Sequence, residues 1–175
     1  MKKEAAFSGL EAAIVLIAFV VVAAVFSYVM LGAGFFATQK SQEVTYSGVK
    51  QSTSNLVLDG QLYGNYDSTD GDVDTIEFYL SIPEGGQPQD IGEVVFVYSL
   101  EGGIGEERTL GTGITIDPAL TNDILVPTEK VKVTLTPTDT PVPGETFTIE
   151  IKPKIGASTL IAKTLATGYT GGVII

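Results

Sequence analysis

The feature that most constrains this chain is an apolar stretch near its N-terminus. It runs from Ala12 to Ala37, and only Ser27 and Tyr28 interrupt a series of Ala, Val, Ile, Leu, Phe, Met and Gly. At about 1.5 Å per residue, a helix of this length reaches roughly 39 Å, which exceeds the ~30 Å hydrocarbon core of a bilayer. A helix that is apolar on all sides must be buried on all sides, by lipid or by other protein.

A short charged leader precedes the apolar stretch. It contains Lys2 and Lys3, and it ends in the small pair Ala5-Ala6. In a secretory signal peptide the small cleavage residues follow the apolar region, whereas here they come before it. Cleavage at this point would leave the apolar helix on the mature protein. We therefore expect a cut between Ala6 and Phe7, with a cut after Ala5 as the alternative.

Two segments carry a family resemblance. The sequence FSGLEAAIVLIAFVVVAAVFSYVML, which begins at Phe7, resembles the class III signal and helix shared by type IV pilins and archaellins, the archaeal flagellins. Residues 14–24 match the aliphatic part of the archaellin N-terminus in particular. The segment PGETFTIEIKPKIGASTLIAKTLA, which begins at Pro143, looks like the archaellin C-terminal domain.

The resemblance implies a set of partners and a location. A prepilin-type signal peptidase would cut the precursor, which would be inserted transiently in the membrane. The mature chain would join a homopolymer of identical or closely related subunits, an extracellular filament on the cell surface that a membrane motor and assembly complex turns. The residues expected to take part in assembly lie on the helix: Glu11, Ile14, Leu16, Ile17, Phe19, Val22, Phe26, Met30, Phe35 and Phe36.

Glu11 has two interpretations. In pilin-like assembly a glutamate at this place pairs with the new N-terminal amine of a neighbouring subunit, and a buried carboxylate does need a cation. A carboxylate near the start of a helix is also favoured by the helix dipole alone. Both roles are compatible with one residue.

The rest of the chain predicts a β-rich domain. The helix is expected to continue as an amphipathic segment to about Val57, and alternating apolar residues then mark half-buried strands. Pro- and Gly-rich turns separate these strands, which is typical of a sandwich. We predict an α+β protein: a signal peptide over residues 1–6, a hydrophobic α-helix over 7–57, and an immunoglobulin-like antiparallel β-sandwich over 58–175.

An acidic segment, DSTDGDVDT, lies at the start of this domain. Close-set carboxylates around a glycine can bind Ca²⁺, so Asp70, Asp72 and Asp74, together with Asp67, form a candidate calcium site. The spacing does not match an EF-hand loop. The alternative is a solvated acidic turn, and we expect no other cofactor.

Composition excludes several kinds of function. The chain has no Cys and no His, which removes thiol nucleophiles, histidine bases and Cys/His zinc sites. Adjacent acids such as Glu106 and Glu107 would point to opposite faces of a strand. The formal charge of −11 disfavours nucleic acid as a partner. We therefore expect no enzymatic activity.

The sequence favours a structural subunit of an archaeal flagellum, the archaellum, that serves swimming motility. One alternative is an archaeal type IV adhesion pilin, which Phe7 and Glu11 support. Another is a membrane-anchored extracellular binding module, whose helix would stay in lipid.

Overall fold

The computed structural model describes the backbone from Lys2 to Ile175 and the side chains from Ser8 onward. The chain divides into two units, residues 1–47 and residues 48–175. The described residues of the first unit are all helical. The second contains the end of the helix and all of the strands described.

A single helix, α1, spans Lys2–Thr53. Its sequence is rich in Ala, which favours helices, and it contains no proline. The threonines in its second half, Thr38, Thr45 and Thr53, each donate a hydroxyl hydrogen bond to the carbonyl four residues earlier. The helix backbone therefore provides a hydrogen-bond acceptor for each of these three hydroxyl groups, which lie after the apolar stretch.

The helix ends at Thr53 rather than at the expected Val57. Ser54 is buried, and its carbonyl oxygen accepts a hydrogen bond from Nε2 of Gln89 at 3.2 Å. Leu56 then enters the core, and Val57 pairs with Ser81 in a sheet. The apolar residues at 56–58 fit a helix and a strand equally well. Contacts with the rest of the β-domain determine that Val57 and Leu58 form a strand.

Twelve strands lie in the described chain. They are β1 (Val57–Leu58), β2 (Leu62–Asp67), β3 (Asp72–Ser81), β4 (Gln89–Asp90), β5 (Val95–Leu100), β6 (Glu106–Leu110), β7 (Gly113–Asp117), β8 (Ile124–Leu125), β9 (Lys130–Leu135), β10 (Thr146–Lys152), β11 (Thr159–Thr164) and β12 (Gly172–Ile174). Short 3₁₀ turns cover Ile91–Glu93 and Thr121–Asp123.

The main strands form one hydrogen-bonded path that folds over on itself. The order is β11-β10-β5-β6-β7-β9-β3-β2-β12, and β1 pairs with β3. Phe78 on β3 and Phe96 on β5 have ring centroids 6.3 Å apart, although these strands are not neighbours in the path. The two halves of the path therefore pack face to face, which confirms the predicted helix followed by an antiparallel-rich β-sandwich.

One pair departs from the antiparallel pattern. In the part of the chain that the structure describes, β6 and β7 are parallel, with Thr109 opposite Gly113 and Leu110 opposite Ile114. The tight turn between them includes Gly111 and Gly113, both with positive φ. This pair joins the two layers of the sandwich.

The predicted alternation of strand residues is confirmed. The inward side chains of β3, β9 and β10 are buried, while their neighbours along each strand are more exposed. On β5, Phe96 and Tyr98 are buried and Val97 between them is half-buried, and β10 and β6 flank this strand on both sides. The buried residues form one hydrophobic core.

Tyr169 ties the C-terminal segment to β2. Its hydroxyl oxygen accepts a hydrogen bond from the Gly64 amide at 3.0 Å, and the carbonyls of Gly172 and Gly64 lie at 2.6 and 3.0 Å as acceptors for its proton. A Cβ at position 64 would lie 2.6 Å from this oxygen, so the site needs a glycine. The hydroxyl is therefore a buried link between β2 and the strand that completes the sheet.

We expect Tyr169→Phe to destabilise the β-domain by about 1–3 kcal/mol, because the Gly64 amide would lose its partner inside the protein. The matched control is Tyr79→Phe, which removes a hydroxyl from a side chain that is 40% exposed. The control should change the free energy of unfolding by about 0.5 kcal/mol or less. Denaturant unfolding of the full chain in detergent, followed by circular dichroism, measures both. Equal effects of the two variants would contradict this role for Tyr169.

Candidate assembly surface

The described side chains of α1 are almost entirely exposed. Every residue from Ser8 to Ser52 is exposed, including large apolar ones such as Phe19, at 76%, and Met30, at 56%. The segment Ser8–Thr53 is long and apolar enough, by length and composition, to cross a membrane. The structure thus contains a large apolar surface that nothing in the described chain covers.

The predicted assembly residues all lie on this surface. Successive residues of an α-helix are offset by about 100°, so these side chains surround the helix rather than form one stripe. No single face is set aside for contact with water or with a partner. All of the apolar ones are exposed: Ile14, Leu16, Ile17, Phe19, Val22, Phe26, Met30, Phe35 and Phe36.

Glu11 lies in the same exposed helix, close to its start. Within the side chains described from Ser8 onward, it makes no ion pair. Its pairing with an N-terminal amine stays a prediction. The backbone of Ala6 and Phe7 belongs to α1, but their side chains lie outside the described residues, so the cleavage site also stays a prediction.

The acidic segment forms the turn between β2 and β3. Oδ1 of Asp67 accepts a hydrogen bond from the Thr69 amide at 2.7 Å, and this bond lowers the pKa of Asp67. Asp72 accepts a hydrogen bond from the Thr140 hydroxyl. Partial burial raises the pKa of Asp74, and repulsion from Asp67, Asp72 and Asp70 adds to the rise. The turn is thus a cluster of repelling carboxylates, two of which are already hydrogen-bonded.

No group of three or more acidic side chains among the described residues is arranged to hold a metal ion. Asp70 lies in the turn, whereas Asp72 and Asp74 lie at the start of β3, and the three are not brought together as a set of ligands. The calcium site stays a prediction without support from this geometry.

Glu106 and Glu107, the adjacent acids considered for catalysis, do point in different directions. Glu106 is half-buried and pairs with Arg108 at 2.6 Å, whereas Glu107 is exposed. The ion pair with Arg108 lowers the pKa of Glu106. Its carboxylate also accepts a hydrogen bond from the Thr138 amide at 3.4 Å, so it links β6 to the segment after β9.

Sequence reasoning missed a small cavity at one end of the sandwich. The cavity has a volume of about 50 Å³ and is lined by Tyr98, Leu100, Gly103, Ile104, Glu106 and Asp139. Tyr98 is buried, and its hydroxyl makes no hydrogen bond within the described chain. The lining residues come from residues 98–106 and from Asp139, and the contact between these two parts of the sequence is not indicated by either of them alone.

Comparison with known proteins places these features in a family. Residues 6–163 match the model of the archaeal-type flagellin family. Probable flagellin 2 of Archaeoglobus fulgidus is 41% identical over 97% of this chain and 93% of its own length. Probable flagellin 1 of the same organism is 40% identical over 90% of this chain and 88% of its own.

Solved structures agree. The subunit in the archaeal flagellum of Methanospirillum hungatei is 57% identical, with a TM-score of 0.80 over 95% of this chain and 99% of that one. An archaeal flagellin from Methanocaldococcus jannaschii, 17% identical, shares the fold with a TM-score of 0.57 over 68% of this chain and 94% of its own. The match over nearly the whole chain, helix and β-domain together, makes this protein a member of the archaeal-type flagellin family.

Proposed function

We propose that this chain is a structural subunit of an archaeal flagellum filament on the outside of the cell, and that the helices of many copies bundle to form its core. The observation that supports this most strongly is the exposure of every residue of α1 from Ser8 to Ser52. An apolar helix cannot remain exposed to water on all sides. Helices from other copies of the chain would bury this apolar surface, which nothing in the described chain covers.

The energy available from such a bundle is large. Burying one large apolar side chain contributes about 1.5–3 kcal/mol, and α1 carries many of them. The loss of translational and rotational freedom on association costs an estimated 4–15 kcal/mol. Burying a few side chains at each contact between subunits would offset this cost. Burial of the remaining apolar side chains of α1 would then stabilise each subunit in the filament. The role is structural, and the subunit needs no catalytic residue for it.

The glycines of α1 support close contact between helices. Gly32 and Gly34 lie in the apolar part of the helix, and a Cβ at either would meet nothing within 4 Å. Each costs about 1 kcal/mol of helix stability relative to Ala. Small residues let two helix backbones approach, which explains their presence in a helix that packs against its own copies.

Before assembly the precursor would sit in the membrane through this same helix. Lys2 and Lys3 precede it, as expected for the cytoplasmic side of a membrane segment. A prepilin-type signal peptidase would then cut between Ala6 and Phe7, and the mature chain would enter the filament. A membrane motor complex would turn the filament, whose outer surface the β-domains form.

N-terminal sequencing of protein from sheared filaments tests the processing step. We expect the chain to begin at Phe7, because cleavage there removes the charged leader and leaves α1 intact. Intact mass of the same material provides the control, since it should match residues 7–175 plus any modification. Filaments whose subunits begin at Met1 would contradict processing.

A charge in the apolar part of α1 tests the bundle. We expect Phe26→Glu to abolish filaments, because an unpaired carboxylate buried among helices costs several kcal/mol. The matched control is Gln51→Glu, which adds the same charge to a polar, exposed part of α1. Electron microscopy and the amount of protein in the sheared fraction measure assembly, and the membrane fraction shows whether the precursor is still inserted. Normal filaments from Phe26→Glu would contradict the proposal.

A further inference from the structure

Two buried polar residues meet where the chain leaves α1. Tyrosines aside, Ser54 and Gln89 are the buried polar residues in the described part of the chain. Burying a polar group costs free energy unless it is hydrogen-bonded. The hydroxyl of Ser54 has no partner among the described residues, whereas its backbone carbonyl does. The domain therefore holds the backbone at this position rather than the side chain.

The side-chain amide of Gln89 makes this contact. Its Nε2 donates one hydrogen bond to the carbonyl of Ser54 at 3.2 Å and another to the carbonyl of Ile155 at 3.1 Å. A primary amide has two such donors, and Gln89 uses both of them here. Gln89 itself lies on β4, which pairs with β8. One side chain thus links the end of α1, the β10–β11 connection and the two-stranded β4–β8 sheet.

Two glycines place their backbone directly against the same segment. A Cβ on Gly156, where φ is +120°, would lie 1.9 Å from the carbonyl oxygen of Ser54. A Cβ on Gly86 would lie 2.8 Å from the carbonyl oxygen of Thr53. Real Cβ atoms are not found at such distances, so any other residue at either position would displace the end of α1.

The next two residues have hydrogen bonds of their own. Oδ1 of Asn55 accepts a hydrogen bond from the amide of Ala157 at 3.0 Å, and its Nδ2 donates to the carbonyl of Ser52 at 3.3 Å. The carbonyl of Leu56 accepts a hydrogen bond from the hydroxyl of Thr159 at 2.8 Å. Three successive residues after α1 are therefore bound to the β10–β11 connection or to the start of β11.

We call residues 53–56, together with Gly86, Gln89 and residues 155–159, the α1 joint. A flexible linker between two parts of a protein is polar and exposed, and few contacts cross it. Residues 53–56 are all buried or half-buried, whereas every residue of α1 from Ser8 to Ser52 is exposed. The end of α1 therefore joins the β-domain through a packed segment and not through a flexible one.

We propose that the α1 joint is a fixed mechanical coupling between the helical core of the filament and its outer β-domains, and that Gln89 is the positioning residue that keeps it fixed. This inference rests on the proposed function. The chain enters the β-domain through residues 53–56, so a bending or twisting load on a helix reaches its own β-domain here. Hydrogen bonds from separate elements to successive residues resist rotation of this segment. The β-domains then stiffen the filament rather than move independently of its core.

Gln89→Met tests the joint itself, because methionine is similar in length but has no amide donors. The matched control is Gln87→Met, which makes the same change at an exposed residue just before β4. In detergent-dispersed subunits of Gln89→Met, we expect the amides of residues 54–57 and 155–159 to exchange roughly tenfold faster, because two buried carbonyls lose their donor. The amides of the core strands should change less, and Gln87→Met should exchange like the wild type.

The stiffness of the filament tests the coupling. Both variants keep the apolar residues of α1, so both should assemble, and electron micrographs of sheared filaments give their bending persistence length. We expect a shorter persistence length for Gln89→Met and a wild-type value for Gln87→Met. Tyr169→Phe controls for a general loss of stability, since it weakens the β-domain through contacts that involve no residue of the joint. Its filaments should keep the wild-type persistence length.

Thr159→Val tests the joint independently of Gln89, because it removes the hydroxyl that donates to the carbonyl of Leu56. The matched control is Thr164→Val, which removes an exposed hydroxyl at the other end of β11. We expect a shorter persistence length for Thr159→Val and a wild-type value for Thr164→Val. Near-ultraviolet circular dichroism shows whether each variant folds, and this second pair decides the question if Gln89→Met does not.

The outcomes separate this inference from the proposed function. Filaments of the folded joint variants with wild-type stiffness would overturn the coupling and leave the filament role standing. Wild-type exchange at the joint of Gln89→Met would also overturn it, since Gln89 would then not hold the joint. Folded variants that form no filaments would contradict it too, because the coupling leaves the apolar surface of α1 intact. A wild-type chain that is absent from the sheared fraction would overturn the filament role itself.

Discussion

The exposed apolar surface of α1 is the feature that requires this molecule to associate with lipid or with other protein. The described side chains of α1 from Ser8 to Ser52 are all exposed, and the β-domain buries its own core without them. A surface of this kind persists only in lipid or among other helices. Family membership indicates the second environment for the mature protein, and the first is the expected environment of its precursor.

Among the described residues, the hydrophobic core of the β-domain consists of side chains that follow α1 in the sequence. Its core joins both layers through contacts such as Phe78 with Phe96, and the hydroxyl of Tyr169 fixes the last strand to Gly64. The start of the domain is held by Gln89, which binds the carbonyl of Ser54 where α1 ends. The apolar side chains exposed on α1 contribute nothing to this core. The energy of assembly and the energy of folding then come from different side chains.

Much of this architecture could be predicted from local patterns. The uncharged run after Glu11 indicates a helix, and the alternation of Ile76, Phe78 and Leu80 indicates a strand, because both patterns follow from the geometry of a single element. The end of α1 could not be placed in this way, since Leu56 and Val57 suit either structure. The parallel β6–β7 pair and the cavity beside Tyr98 depend on contacts between distant segments, which periodicity does not report. The roles of Ala6, Phe7 and Glu11 rest on the resemblance alone.

In the proposed filament, α1 is buried among copies of itself. Amide hydrogen exchange on sheared filaments freed of lipid measures this most directly, because it reports on each segment of the helix separately. We expect residues 14–36 to exchange more slowly in the filament than in detergent-dispersed subunits, and at least as slowly as the core strands of the β-domain. Exchange of this segment in lipid-free filaments at the rate of an exposed, fraying helix would contradict it.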